Sequence, residues 1–284
     1  MQKQQTVSEK VSIRGIGLHS GASAELNILP ALENTGIVFK RVDLPEQPEI
    51  KALYSNVGDT RNSTTLVNPQ GVVVATIEHL MSALYMAGID NAMIEIDGPE
   101  IPIMDGSAQA FYNILKASKL KEQNADRKFL EIKKEVSFSD DRGNTVSLKP
   151  HPRLKIDFEI NFPSPVVGYQ KFNNDIDDRV FSEEIAFCRT FTEKSQIEQL
   201  QAMGLIKGGS LDNAVVLDGD QIVNEGGFKT ENECVNHKVL DAIGDLYSSG
   251  YHVLGELTAS KTGHYHTNEL LKKMFADKTS YELV

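Results

Sequence analysis

Cysteine is scarce. The 284 residues hold only Cys188 and Cys234, too few for a disulfide framework, and both are read as reduced thiols. Long apolar runs are missing too. The longest, such as Val72-Val73-Val74-Ala75, are far too short to span a bilayer. The segment Met1-Gln2-Lys3-Gln4-Gln5 lacks the apolar centre of a signal peptide. A cytoplasmic protein without a transmembrane segment is expected. Positive charge is also short: 29 Lys and Arg stand against 40 Asp and Glu, a net charge of −11. That argues against broad nucleic-acid binding. An anionic small substrate stays open, but it needs a local Lys and Arg cluster working against the general field.

The composition, 40% hydrophobic and 24% charged, is that of a soluble globular protein long enough for two ordinary domains or one large one. Val11–Ile13, Ala24–Ile28, Gly36–Arg41, Gly71–Ala75 and Asn91–Ile96 read as strands. Helices are predicted at Ile77–Ala87 and Ala108–Ala117, the first capped by Thr76 and stopped by Gly88. The stretch Lys119–Lys128 is polar and without apolar period, so a domain boundary is placed there, giving 1–124 and 125–284. Strands begin again at Phe129–Ile132 and Leu154–Ile160. Later segments are helical at Ser182–Ala186 and Lys194–Met203, extended at Ala214–Leu217 and Val253–Thr258, and helical again from Asn268 to Ala276. A shift of 162 residues lays Leu84-Tyr85 and Gly88 on Leu246-Tyr247 and Gly250, and His79 on Asp241. A duplicated α+β unit, with two related helices facing one another, fits this.

The densest chemistry lies in Cys234–Tyr247. Val235, Val239, Ile243 and Leu246 make one apolar stripe at helical spacing; His237, Asp241 and Asp245, four residues apart, make another. Asp and Gly244 are poor helix-interior residues, and a helix that keeps them has a reason beyond propensity. The plain alternative is a solvated polar face. A Cys/His/Asp metal set through Cys234 has no CxxC partner to support it. His79 on the earlier helix completes a better set. Two imidazoles and one carboxylate, from His79, His237 and Asp241, are what catalytic zinc takes while leaving a position open for water. Glu78 points elsewhere from His79 and is free to act as a base on that water. Neither HExxH nor HxxEH is present, since position 76 is Thr76. The glycine-rich Gly15-Ile16-Gly17-Leu18-His19-Ser20-Gly21 has neither GxGxxG spacing nor a following βαβ unit. It reads as a hairpin or loop, with His19 as a candidate ligand-facing residue.

Three blocks, Thr76–Leu84, Asp97–Ser107 and His237–Leu246, closely resemble the UDP-3-O-acyl-N-acetylglucosamine deacetylases, the zinc amidases of lipid A biosynthesis in Gram-negative bacteria. The likeness also takes in Gly15–Gly21, Ser63–Leu66, Arg189-Thr190-Phe191, Gly208-Gly209-Ser210 and Gly263-His264, in order along nearly the whole chain. It implies two similarly built α+β domains, each a sheet with helices, the helices sandwiched between the sheets and zinc at the interface. It implies His79, His237 and Asp241 as ligands, Glu78 as general base and His264 as the cationic acid. Thr190 would hydrogen-bond the oxyanion, Lys238 would meet polar groups of the substrate, and Asp245 would orient His264. Phe162 would stack on uracil, Arg142 approach the diphosphate and Phe191 pack against the sugar. The stretch from Ile197 through Ser210 to Val216 would line the acyl-chain passage. A UDP-linked acylated glucosamine is the implied partner, with peripheral membrane contact allowed and a monomer expected. Zinc is the implied cofactor, although such ligands also suit Fe(II) and Co(II). The alternatives are a zinc amidase of this fold acting on another acylated amino sugar, and a catalytically silent binding module. The sequence departs from the family pattern at Asn236, Thr192-Glu193 and Tyr265-His266-Thr267, and has Ser63 where some members carry Cys.

Overall fold

The structure, a computed structural model, describes residues 2–284. The fold is α+β, with two similarly built domains and helices sandwiched between two sheets. The first sheet holds β1 (Val11–Ile16), β2 (Ser23–Pro30), β3 (Ile37–Arg41), β4 (Glu49–Lys51) and β5 (Ala92–Ile96), in the order β1-β2-β5-β3-β4. β3 and β5 run parallel, and the other neighbours are antiparallel. In β2 the period of two turns Ala24, Leu26 and Ile28 inward and leaves Glu25 and Asn27 less covered. Two helices follow, α1 (Glu78–Ala87) before β5 and α2 (Gln109–Ala117) after it.

The second half repeats this plan. Its strands are β6 (Val136–Ser139), β7 (Thr145–Lys149), β8 (Leu154–Asn161), β9 (Tyr169–Asp175) and β10 (His252–Ser260). They pair in the order β6-β7-β10-β8-β9, with β8 and β10 parallel. Helix α3 (Glu233–Tyr247) precedes β10 and α4 (His264–Ala276) follows it. The strands Phe129–Ile132 and Tyr281–Leu283 widen this sheet to seven. Strand for strand and helix for helix, the order and directions match the first sheet, which gives the 162-residue shift its structural content. Each half also carries a small three-stranded insert ahead of its central helix.

The helices α1 and α3 pack together at the centre. Every residue of α1 except Met86, and every residue of α3 except Lys238, is buried. The polar stripe of α3 is therefore no solvated face. Gly244 shows how close the two helices come: a Cβ built there would lie 2.0 Å from the backbone oxygen of Glu78. Only glycine lets the α1 backbone sit at that point. Two tyrosines at equivalent positions exchange contacts across the same interface. Tyr247 donates its hydroxyl to the Ile89 carbonyl at 2.6 Å, and the Val253 N–H donates to the Tyr85 hydroxyl at 3.3 Å.

Several expectations change. Lys119–Lys128 is not a structureless linker: Leu120–Asp126 is a strand paired antiparallel with Lys3–Val7. This strand is largely uncovered, so it needs no apolar period to form. Among the described residues, no strand pairing joins the chain up to Asp126 to the chain from Phe129 onward. Thr76 does not cap α1. Its φ is +58°, a left-handed conformation costly for a β-branched residue, and its hydroxyl donates to Glu100 Oε1 at 3.1 Å. Helix α4 starts at His264, four residues before the expected Asn268, because its first turn is polar and shows no apolar stripe.

Candidate active site

The two central helices bring their polar residues to one place. Glu78 and His79 open α1, while His237, Lys238, Asp241 and Asp245 lie along α3. His79 Nε2 and His237 Nε2 each lie 3.4 Å from Asp241 Oδ1, and the two imidazole rings meet edge to face at 5.1 Å. The three side chains are buried and their donor atoms converge within 4.8 Å. Asp241 Oδ1 has no hydrogen-bond partner, although it is fully covered. A buried carboxylate oxygen without a partner is costly, and a cation among these donors would relieve the cost. His237 Nδ1 lies 3.0 Å from the Cys188 carbonyl. That contact places the proton on Nδ1 and frees the Nε2 lone pair toward Asp241. Burial lowers the His237 pKa to about 4, so the ring is neutral and able to donate its lone pair. Burial works against the Asp241 charge but is outweighed by His237 and by Lys238, whose Nζ lies 2.9 Å from Oδ2; the carboxyl stays well below the usual range. The donor set fits a divalent metal.

Beside this triad stands an acid–base arrangement. Burial raises the pKa of Glu78, only partly offset by His264 and His79. Glu78 Oε2 accepts the Thr64 N–H at 3.0 Å, and Glu78 Oε1 lies 3.8 Å from His264 Nε2. His264 Nδ1 lies 2.8 Å from Asp245 Oδ2, whose other oxygen accepts the Thr64 hydroxyl at 2.6 Å. Burial would lower the His264 pKa, but the Asp245 and Glu78 carboxylates outweigh it and raise it to about 9. A basic carboxylate and a charged imidazole thus face the triad of His79, His237 and Asp241 from one side. Thr64 ties them together, its N–H to one and its hydroxyl to the other's anchor.

A cavity of about 620 Å³ opens beside these groups, with His264 and Lys238 on its wall. Its walls include His19, Thr190, Phe191, Ile197, Ser210, Lys238 and His264, which the sequence had singled out. Leu200, Ile206, Leu211 and Val216 make one part of it apolar. Phe162 does not line it but supports Phe191 edge to face at 5.1 Å, and Phe191 meets the His237 ring at 6.4 Å. Arg142 lies on an exposed turn away from the lining. Its neighbour Asp140 holds His266, a wall residue, at 3.0 Å. Of the departures, Thr192, Tyr265 and His266 line the cavity, whereas Asn236 turns away and donates its amide to the Glu184 carbonyl at 2.8 Å.

Three residues were not foreseen. Thr64 sits in a hydroxyl-rich run that reads as a turn, and only its contacts reveal it. Lys261, beside Gly263 on the cavity wall, offered a bare basic signal. Glu100, 3% exposed, accepts the N–H groups of His19 and Ser20 at 2.8 and 2.7 Å as well as the Thr76 hydroxyl. It clamps the His19 loop to the start of α1. That loop in turn docks on the second half, where Gly208 donates to the Leu18 carbonyl at 3.0 Å; a Cβ on Gly208 would meet the Gly17 oxygen at 2.3 Å.

Comparison with known proteins shows the family. The family profile described as LpxC, UDP-3-O-acyl N-acetylglycosamine deacetylase, matches residues 4–276. A UDP-3-O-acyl-N-acetylglucosamine deacetylase from Haemophilus influenzae (strain PittEE) is 43% identical over 286 residues, covering 100% of this chain and 93% of the relative. One of the same name from Vibrio vulnificus (strain YJ016) is 45% identical over 284 residues, with 99% and 93% covered. A third, from Pasteurella multocida (strain Pm70), is 43% identical over 286 residues, with 100% and 93% covered. At this identity and over this length, the chain belongs to the LpxC family of UDP-3-O-acyl N-acetylglycosamine deacetylases.

Proposed function

We propose that this chain removes the N-acetyl group from a UDP-3-O-acyl-N-acetylglucosamine by zinc-dependent hydrolysis, releasing acetate in lipid A biosynthesis. The observation that carries the reading is the convergence of His79, His237 and Asp241 beside the Glu78–His264 pair, with His264 on the wall of a cavity that is apolar in one part. His79, His237 and Asp241 would hold the zinc. When bound, zinc supplies Lewis acidity, polarising the amide carbonyl and lowering the pKa of water from about 15.7 to about 7.

In this reading Glu78 takes the proton of the attacking water, a task suited to a carboxylate made more basic by burial. An amine is a poor leaving group until it is protonated. His264 gives it a proton, and Asp245 keeps the ring charged and aimed. Thr190 donates to the oxygen that gains charge, and Lys238 adds a cation on the same wall. Phe191, backed by Phe162, packs against the sugar, and Ile197 to Val216 receives the acyl chain. His19 faces the substrate from the cavity wall, and Arg142 approaches the diphosphate from its exposed turn outside the lining. The same reading divides the chain at 124/125, so that the first domain supplies Glu78 and His79 and the second supplies His237, Asp241 and His264. It places the activity in the cytoplasm and in a monomer; no helix among the described residues is long and apolar enough to cross a membrane.

The test uses the purified chain, stripped of metal and titrated with zinc, on a UDP-3-O-(3-hydroxyacyl)-N-acetylglucosamine. Acetate release should return near one zinc per chain. Glu78→Gln should keep the zinc and lose roughly 100-fold or more in kcat. Zinc binding with no acetate released from this substrate would overturn the reading.

A further inference from the structure

A second cavity lies elsewhere between the two sheets. It measures about 560 Å³ and shares no lining residue with the catalytic one. Its size and its place between domains are typical of small-molecule sites. Residues that precede α1, among them Lys51 and Tyr54, form one side, and residues that follow α3, among them Tyr251, Phe275 and Lys278, form the other.

Its chemistry is unusual for so acidic a chain. Lys51, Lys128 and Lys278 stand exposed at its rim, and none has a carboxylate within 4.0 Å among the described residues. Lys278 Nζ donates only to the Tyr281 hydroxyl, at 2.9 Å. The acid on the wall, Asp90, is already neutralised: Arg127 grips both its oxygens at 2.7 Å. That grip also commits Arg127, so the free cations are all lysines. Behind the rim is an aromatic wall. Tyr54 and Phe275 lie parallel at 4.5 Å with 5° between their planes, and Tyr281 meets Phe275 edge to face at 5.1 Å. These rings are half-buried and present surface to the cavity.

We propose that this inter-domain cleft is a binding site for a nucleoside phosphate, distinct from the catalytic cavity. Three ammonium groups around one opening, without a planar guanidinium, suit a phosphate better than a flat carboxylate, which favours the arginine fork. The half-buried rings offer a face for a planar base, and stacking on aromatic side chains accepts any base. A ligand here touches both halves and holds them together.

ADP is the probe, titrated by calorimetry into the zinc-loaded full chain at low salt. One ADP per chain should bind and raise the Tm. The triple variant Lys51→Gln/Lys128→Gln/Lys278→Gln should bind about tenfold more weakly or worse, with its own Tm unchanged, because all three side chains are exposed. Lys261→Gln, on the wall of the other cavity, should bind ADP as the parent does. Absence of saturable binding overturns the proposal, and so does binding that survives the triple change but fails in Lys261→Gln. Adenosine binding as tightly as ADP overturns the phosphate assignment, and pyrophosphate binding as tightly overturns the base. Should the triple variant melt early, Lys128→Gln alone carries the same comparison at about threefold.

Discussion

Replacing Gly244 by Ala tests whether the α1–α3 approach sets the active site. On an isolated helix the change favours folding by about 1 kcal/mol, since glycine is the poorer helix former. The structure reverses the sign. The new Cβ would sit 2.0 Å from the Glu78 oxygen and 2.8 Å from its carbonyl carbon, and real Cβ contacts essentially never fall below 3.0 Å. The helices must therefore separate by about 1 Å at Glu78, the proposed base, one position before His79. Overpacking of this kind costs about 1–3 kcal/mol, more than the propensity gain. The separation also draws Glu78 and His79 away from His237, Asp241 and His264, and a 1 Å misplacement in such a constellation costs about 100-fold in rate. Gly244→Ala should thus lower the Tm, weaken zinc retention against a chelator and reduce kcat by about two orders of magnitude, with far-UV circular dichroism unchanged. A variant that melts at or above the parent temperature and keeps kcat within about threefold would refute the argument.

Other perturbations probe the neighbouring contacts. Thr64→Val removes the 2.6 Å bond to Asp245 but keeps the N–H to Glu78; a bond to a charged group is worth about 1.5–3 kcal/mol, so kcat should fall about ten- to a hundredfold with KM little changed. The pH–rate profile should have two limbs: activity lost on acidification as Glu78 takes a proton, and lost on alkalinisation as His264 gives one up. A bound cation opposes the His264 charge, so the basic limb should lie at or below about 9, and His264→Gln should abolish it. Far from the catalytic groups, burial holds the pKa of His252 down to about 3, against an ordinary 6.5. Its contribution is fully present above 6.5 and is lost as pH falls toward 3; denaturant melts should show His252→Asn flattening the drop between pH 7 and 5 by about 2 kcal/mol.

How much of this was legible depended on whether a residue announced its partner along the chain. His237, Asp241 and Asp245 share a helix face, so their spacing alone proposed a site, and the apolar stripe beside them gave the helix. His79 joined them through chemistry, because the triad needed one more imidazole. Gly244 could be read only as an anomaly; its reason, the Glu78 backbone, lies far away in sequence. Thr64 and Glu100 were hidden for the same cause, since each acts by hydrogen bonds to distant segments and neither type is rare in turns. The ribbon strand Leu120–Asp126 was missed because it stays uncovered, and an uncovered strand leaves no mark of apolar alternation. The first turn of α4 was missed because His264 serves the site rather than the core. Roles for Phe162 and Arg142 came from resemblance, and geometry puts the first behind Phe191 and the second on an outer turn.

The Tyr85 and Tyr247 rings, at corresponding places in the two halves, meet edge to face at 5.2 Å, and this contact has a meaning beyond adhesion. Residue i reaching past j while j reaches past i is the mark of an isologous contact, the kind two identical subunits make. Here the two parties are halves of one chain, and His79 and Asp241 stand at corresponding places in them. A symmetric pair of identical units can offer only like against like at such a place, either two imidazoles or two carboxylates. Tying the units into one polypeptide removes that restriction. One side can then keep nitrogen and the other oxygen, and a base can be added on one helix without appearing on its twin, where the matching residue is Leu240. The asymmetry of the proposed site is therefore open to a single polypeptide and closed to a pair of identical units, although the two halves share one order of strands and helices.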